Sequence, residues 1–308
     1  MRANLLPDFL IIGAGKCGTT SVDNYLKQHP SIYVTNVKEP NFFGYELIKP
    51  EDFPDKSKLK HYYDSVTDLE SYQALFSEAQ PDQLLGETSN TYLYHDRAPE
   101  RIRHYVPNVK MAAIFRQPAE RLYSRFLHLA RVNELPTKKF ESVLDKNSIW
   151  WTRNDLIKEG FYYKNLVRFF DYFPKDQIKT YLFEDLKNNP QEVMQNITDH
   201  IGADSSFEFD FSVQYNRSGF IKNKFYDRMV GHNSIIKNGI KSLIPSKAYS
   251  KLQRSPWIRK KFTDIKNKNL SRPPLHPDLK KKVTEFYAKD IQQLSKLINR
   301  DLDHWLVC

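Results

Sequence analysis

Short apolar runs alternate with longer amphipathic stretches along this chain. FLII at 9–12, SIYVTNV at 31–37, LLGETS at 84–89, KMAAIF at 110–115 and IKTYLF at 178–183 have strand length, and their apolar stretches fit strands buried on both faces. Between them, apolar residues recur at helical spacing: Val22, Tyr25 and Leu26, then Leu69, Tyr72, Leu75 and Phe76 behind Asp68 as N-cap, a helix over 68–79. Further helices are predicted over 97–106, from Pro118 to Arg131, over 161–172 before Pro174, and from Pro190 to Ile201. The last covers 277–299, with Leu279, Val283, Phe286, Tyr287, Ile291, Leu294 and Ile298 on its apolar face. Strands alternating with helices predict an α/β fold with a central, mainly parallel sheet flanked by helices. Residues 41–66 break the rhythm as a long aromatic and lysine-rich excursion, and loops of that length in a compact domain are usually functional. With no internal repeat and no Gly/Ser linker, 1–308 reads as one domain, with 212–276 as a less regular insertion before the C-terminal helix.

Composition narrows the class. Apolar content of 40% and aromatic content of 14% belong to a folded globular protein. No apolar run approaches bilayer length, and Pro7 and Asp8 interrupt the opening MRANLLPDFLII, which has no small-residue cleavage site; the expectation is a cytoplasmic protein without signal peptide or anchor. Two cysteines, Cys17 and Cys308, exclude a disulfide framework and have no metal-ligand spacing. The net charge of +10 is concentrated in residues 217–272, which hold 15 Lys and Arg against 2 Asp and Glu. That segment is either a solvated basic face or the seat of an anionic partner, nucleic acid included.

The chemistry centres on residues 8–39. The strand at 9–12 runs into Gly13-Ala14-Gly15-Lys16-Cys17-Gly18, and Thr19 and Thr20 open the helix after it. Backbone N–H groups and a helix dipole converge there, so the loop suits an anion. The loop matches GxGxxG literally, with Glu39 about 20 residues on. Lys16 inside the loop suits a more highly charged phosphate group better than a dinucleotide. A P-loop kinase is a further reading, but its lysine follows the last glycine, whereas Lys16 precedes Gly18. A second anion site lies in FRQPAERLYSRF at 115–126, with Arg116 at a strand end and Ser124 in the following helix. Arg121 and Ser124, three residues apart, are expected to share a face. Two separate anion sites fit a nucleotide with phosphates at both ends. Cys17 is either a helix-terminus thiol made reactive or a small residue fitted into a tight loop.

GAGKCGTTS, HPSIYVTNVKEPNFF, FRQPAERLYSRF, GFYYKNLVRFFDYFP, YLFEDLKNNP and EFYAKDIQQLSKLINRDLDHW together resemble the sulfotransferases that use 3′-phosphoadenosine 5′-phosphosulfate (PAPS). The likeness is to the bacterial and heparan-type carbohydrate branch, over nearly the whole chain except 217–267. It implies a P-loop-like sulfotransferase fold. Gly15, Lys16, Cys17, Gly18, Thr19 and Thr20 would cradle the 5′-phosphosulfate, and Arg116 and Ser124 would hold the 3′-phosphate. Lys16 would stand at the leaving group and Glu39 would be the general base, with Glu87 of GETSNTY as a competing base. The implied acceptor is a hydroxyl, most naturally on a glycan, the product adenosine 3′,5′-bisphosphate, and no metal is required. Lys38 is placed to orient an anionic group, His29 reads as structural, and Lys268 and Arg272 fall where the family often has a basic nucleotide-closing loop. One departure stands out. Where heparan-type enzymes carry a pattern like EKTPSY, this chain has Glu87-Thr88-Ser89-Asn90-Thr91-Tyr92, so Thr88 replaces a lysine that would meet an acidic sugar. Acceptor choice is then expected to rest on 41–66 and 217–272.

Overall fold

The computed structural model describes residues 5–52, 59–213, 219–223 and 269–307. Most of the basic 217–272 segment, Lys268 included, lies outside them, as do 53–58 and Cys308. The described residues form two compact units: residues up to 122 with 141–209 and 276 onward, and residues 123–140 with 210–275.

The first unit is built on a five-stranded parallel sheet. Its strands are β1 (Phe9–Gly13), β2 (Ile32–Val34), β3 (Leu84–Thr88), β4 (Lys110–Phe115) and β5 (Ile178–Leu182), in the spatial order β2-β3-β1-β4-β5. Every residue of the central β1 is buried, as expected of a parallel strand covered on both faces. Helices flank the sheet, so the α/β architecture expected from the alternation is present. Helix bounds follow the apolar period closely at Pro118–Arg131, Pro190–Ile201 and Pro277–Ile298. Two differences have local causes. The helix behind Asp68, whose Oδ1 accepts from Ser71 N at 2.8 Å, stops at Ala74. The chain then tightens into i→i−3 bonds at Leu75, Phe76 and Ser77, which continue the apolar spacing without α geometry. The excursion at 41–66 contains short helices, Phe42–Tyr45 and Leu59–Tyr63, and Phe42 and Phe43 are core residues. Phe42 stacks on Tyr72 with centroids 4.4 Å apart.

The C-terminal helix is tied to the helix Tyr162–Phe170 by a buried carboxylate. Asp290 accepts from the N–H groups of Tyr163 and Lys164 at 2.9 and 3.1 Å, satisfying donors that the helix start leaves open. In the second unit, Tyr123, Phe126 and Phe140 pack as an aromatic cluster beside a two-stranded antiparallel pairing of Phe220–Ile221 with Leu270–Ser271. Among the described residues no helix is long and apolar enough to cross a membrane.

The sheet places the ends of its strands together. β1 lies between β3 and β4, the chain runs from β1 to β2 on one side and on to β4 on the other, and all strands point the same way. Such a switch of direction opens a crevice at the carboxyl edge, where ligands of open α/β sheets bind. The packing of β1 on β3 demands a missing side chain: Phe9 pairs with Gly86, and a Cβ on Gly86 would lie 2.1 Å from the Phe9 ring. Gly86→Ala should therefore cost about 1–3 kcal/mol by overpacking, read as a lowered urea midpoint. Pairing it with Phe9→Leu should recover part of that loss.

Candidate active site

At the end of β1 the chain turns through the glycine loop. Lys16 (φ 69°) and Gly18 (φ 94°) both adopt left-handed backbone, and Thr19 begins the helix Thr19–Leu26. Three of the loop's N–H groups are spoken for: Ala14 N bonds Ile114 O at 2.9 Å, Cys17 N bonds Ala14 O at 3.2 Å, and Gly15 N bonds Glu159 Oε1 at 2.5 Å. The N–H groups of Gly18, Thr19 and Thr20 have no protein acceptor among the described residues, as the first turn of a helix dictates. Open donors at a helix start, with Lys16 next to them, are the kind of group that suits an anion.

Glu159 is buried, and its other oxygen accepts from Arg121 Nη1 at 2.6 Å. Arg121 also donates to Leu156 O. Arg121, three residues before Ser124, is fully buried and paired with Glu159 behind the glycine loop. Cys17 is buried too, its thiol 3.7 Å from Tyr162 Oη. Burial pushes that thiol up to about 12, which leaves it protonated and selects the reading of a small residue fitted into a tight loop.

β2 delivers Lys38 and Glu39. Glu39 has left-handed backbone (φ 55°), and its N–H bonds Thr88 O at 3.1 Å, which fixes it against the end of β3. Its Oε1 accepts from Asn90 Nδ2 at 2.9 Å. Lys38 reaches back to Thr20 and donates to its hydroxyl, so the end of β2 and the glycine loop are directly joined. Lys16 and Glu39 thus both sit in a backbone region that costs a residue with a Cβ and that gathers at functional sites.

Glu87 ends in a different environment. It is fully buried, and its carboxyl accepts from Tyr92 at 2.6 Å, Ser89 at 2.8 Å and Tyr72 at 3.2 Å. Burial pushes it up to about 7, while the three hydroxyl donors pull the other way. Its neighbour Thr88, at the position of the absent lysine, is buried with its hydroxyl unpartnered.

Arg116 follows β4 and is buried. It donates to Glu120 Oε2 at 2.7 Å and lies over the Phe183 ring at 4.7 Å, while its Nε has no partner. Lys280 donates to the other oxygen of Glu120 at 3.1 Å. Ser124 is buried on the same helix, in the stretch belonging to the second unit. His29 bonds Asp204 O at 3.0 Å and packs on Phe207, a structural placement. The first unit therefore brings together Gly15, Lys16, Cys17, Gly18, Thr19, Thr20 and Lys38 at the loop, while Glu39 pairs with Asn90. Glu159 and Asn90 were missing from the sequence reading, because neither is near its partner in the chain.

These features define an α/β protein with an anion loop and a candidate carboxylate base on one edge of a parallel sheet. Residues 6–295 match the sulfotransferase domain, and the chain belongs to that family of transferases. It is 27% identical over 218 residues to bifunctional heparan sulfate N-deacetylase/N-sulfotransferase 1 of Caenorhabditis elegans, spanning 69% of this chain and 24% of that protein. To human carbohydrate sulfotransferase 15 it is 26% identical over 174 residues, 47% of this chain and 31% of that one. The chain thus spans about a quarter to a third of these relatives. A crystal structure of a sulfotransferase from Alicyclobacillus acidocaldarius superposes with a TM-score of 0.68 at 26% identity, covering 97% of this chain and 98% of the other.

The Glu87 environment has a consequence for stability. Its folded-state value lies above the ordinary 4.5, so its contribution is fully present below pH 4.5 and lost as pH rises through about 7. Glu87→Gln keeps an acceptor and removes that titration. Between pH 5 and 8 the variant should lose less stability than the wild type, by up to about 3 kcal/mol, in paired urea titrations at the two pH values.

Proposed function

We propose that the chain transfers a sulfonate group from PAPS to a hydroxyl of a carbohydrate acceptor. The observation that carries this reading is the joining of the Lys16 loop to the Lys38–Glu39 turn, through the Lys38–Thr20 hydrogen bond, on the sheet edge where Arg116 also emerges. The donor chemistry fits a nucleotide with two anionic ends. Open N–H groups at Gly18, Thr19 and Thr20 with Lys16 suit the 5′-phosphosulfate, with Gly15 and Cys17 shaping the loop. Arg116, with its unpartnered buried Nε, suits the 3′-phosphate.

PAPS supplies the sulfonate. The acceptor oxygen forms a bond to sulfur as the bond from sulfur to the phosphate oxygen breaks. The electron pair leaves with adenosine 3′,5′-bisphosphate. Lys16 stabilises the charge growing on that leaving oxygen, an interaction stronger in the transition state than before it. Glu39, half-buried and at the edge, takes the acceptor proton; Glu87 is enclosed by hydroxyls and is kept for structure. The names of the heparan sulfate and carbohydrate sulfotransferase relatives support a glycan acceptor. Since one of those names specifies N-sulfation, the acceptor screen includes amino sugars beside hydroxyl acceptors.

Labelled PAPS offered with neutral glycans, uronic-acid glycans, amino sugars, phenols and lipids should give transfer to a glycan hydroxyl. Lys16→Met should lower that transfer by about 10²–10³-fold, the scale of a lost oxyanion donor. In melting experiments adenosine 3′,5′-bisphosphate should stabilise the protein more than 5′-AMP at equal concentration, because ligand bound to the native state adds RT ln(1 + [L]/Kd). Arg116→Met should abolish that difference. Equal shifts in the wild type would contradict a second phosphate site.

A further inference from the structure

We infer that Asn90 is a positioning residue for Glu39: its amide orients the carboxylate that takes the acceptor proton. This role rests on the base assignment above and adds to it Asn90, which stands where the pattern EKTPSY has a proline. The geometry begins with the backbone. Glu39 lies on a left-handed turn whose N–H is held by Thr88 O, so its Cα is fixed against the end of β3. Two residues past Thr88, Asn90 opens the short helix Thr91–Tyr94 and sends its amide back to Glu39 Oε1 at 2.9 Å. The pairing spans 51 residues of sequence and joins the ends of two adjacent strands.

Asn90 is the side chain that donates to the Glu39 carboxylate among the described residues. The surrounding charged groups are otherwise engaged or placed. Lys38, next to Glu39, donates to Thr20; Glu87 at the end of β3 is enclosed by Tyr72, Tyr92 and Ser89; Lys16 lies on the loop after β1. One oxygen of Glu39 is thereby held by a neutral donor, and the other, Oε2, has no protein partner there. That is the arrangement a base needs: one lone-pair set restrained, the other left for the proton.

The test compares pH–rate profiles, with PAPS varied up to saturation at a saturating acceptor concentration, for the wild type, Glu39→Gln, Asn90→Ala and Asn90→Asp. Asn90→Ala should lower kcat by about 10–100-fold, less than Glu39→Gln, with the KM for PAPS little changed. Asn90→Asp sets a second carboxylate against the first, and like charge favours the protonated form. The acid limb of its profile should move up by about 1 pH unit or more. The melting shift with adenosine 3′,5′-bisphosphate, measured on the same samples, must match the wild type and so establishes that the variants are folded with an intact nucleotide loop. If Glu39→Gln is inactive while the acid limb of Asn90→Asp stays in place, the role of Asn90 is overturned and the base assignment stands. If Glu39→Gln transfers near the wild-type rate, the base assignment falls and the role of Asn90 falls with it.

Discussion

The glycine loop depends on one buried carboxylate. Glu159 holds the N–H of Gly15 with one oxygen and the guanidinium of Arg121 with the other, tying the loop after β1 to the helix after β4. A buried pair of this kind adds little net stability over a well-packed apolar pair, but removing one partner strands a charge and costs about 3–5 kcal/mol. Its value is geometric. A Cβ on Gly15 would lie 2.8 Å from the Glu159 oxygen, so a side chain there would drive the carboxylate off the loop. With Glu159 behind it, the loop presents Lys16 and the first N–H groups of the helix outward, rather than collapsing onto its own donors.

Four carboxylates at the same end of the molecule divide the labour by environment. Glu159 is matched by a guanidinium, Glu87 by three hydroxyls, Glu120 by Arg116 and Lys280 together, and Glu39 by one amide. The first three are saturated with donors. Only the last combines partial exposure with a single side-chain donor, which is the coordination the proposed base requires.

Much of the fold was legible in the chain because the local patterns agree with the tertiary ones. KMAAIF is β4 from end to end, and Pro118 and Pro190 begin helices where a proline is tolerated. The positions of the glycine loop after β1 and of Arg116 after β4 were legible from the apolar runs that precede them, and Pro40 marked Glu39 as a turn residue. The burial of Arg121 was not legible, since helical spacing says which residues share a face, not whether that face is buried. Glu159 and Asn90 were invisible because their partners are 144 and 51 residues away, where no local period can point to them. The aromatic excursion was read as a long functional loop; its pattern did not disclose that Phe42 and Phe43 fill a core with Tyr72 from a later helix.

The thiol of Cys17 is sealed inside the glycine loop, protonated and shielded by Tyr162. A thiol reagent can reach it only when the loop comes apart, so its alkylation rate is a built-in clock for loop opening. The protein carries, without any label, a reporter of how often the cradle loosens and of how far an occupant slows that motion.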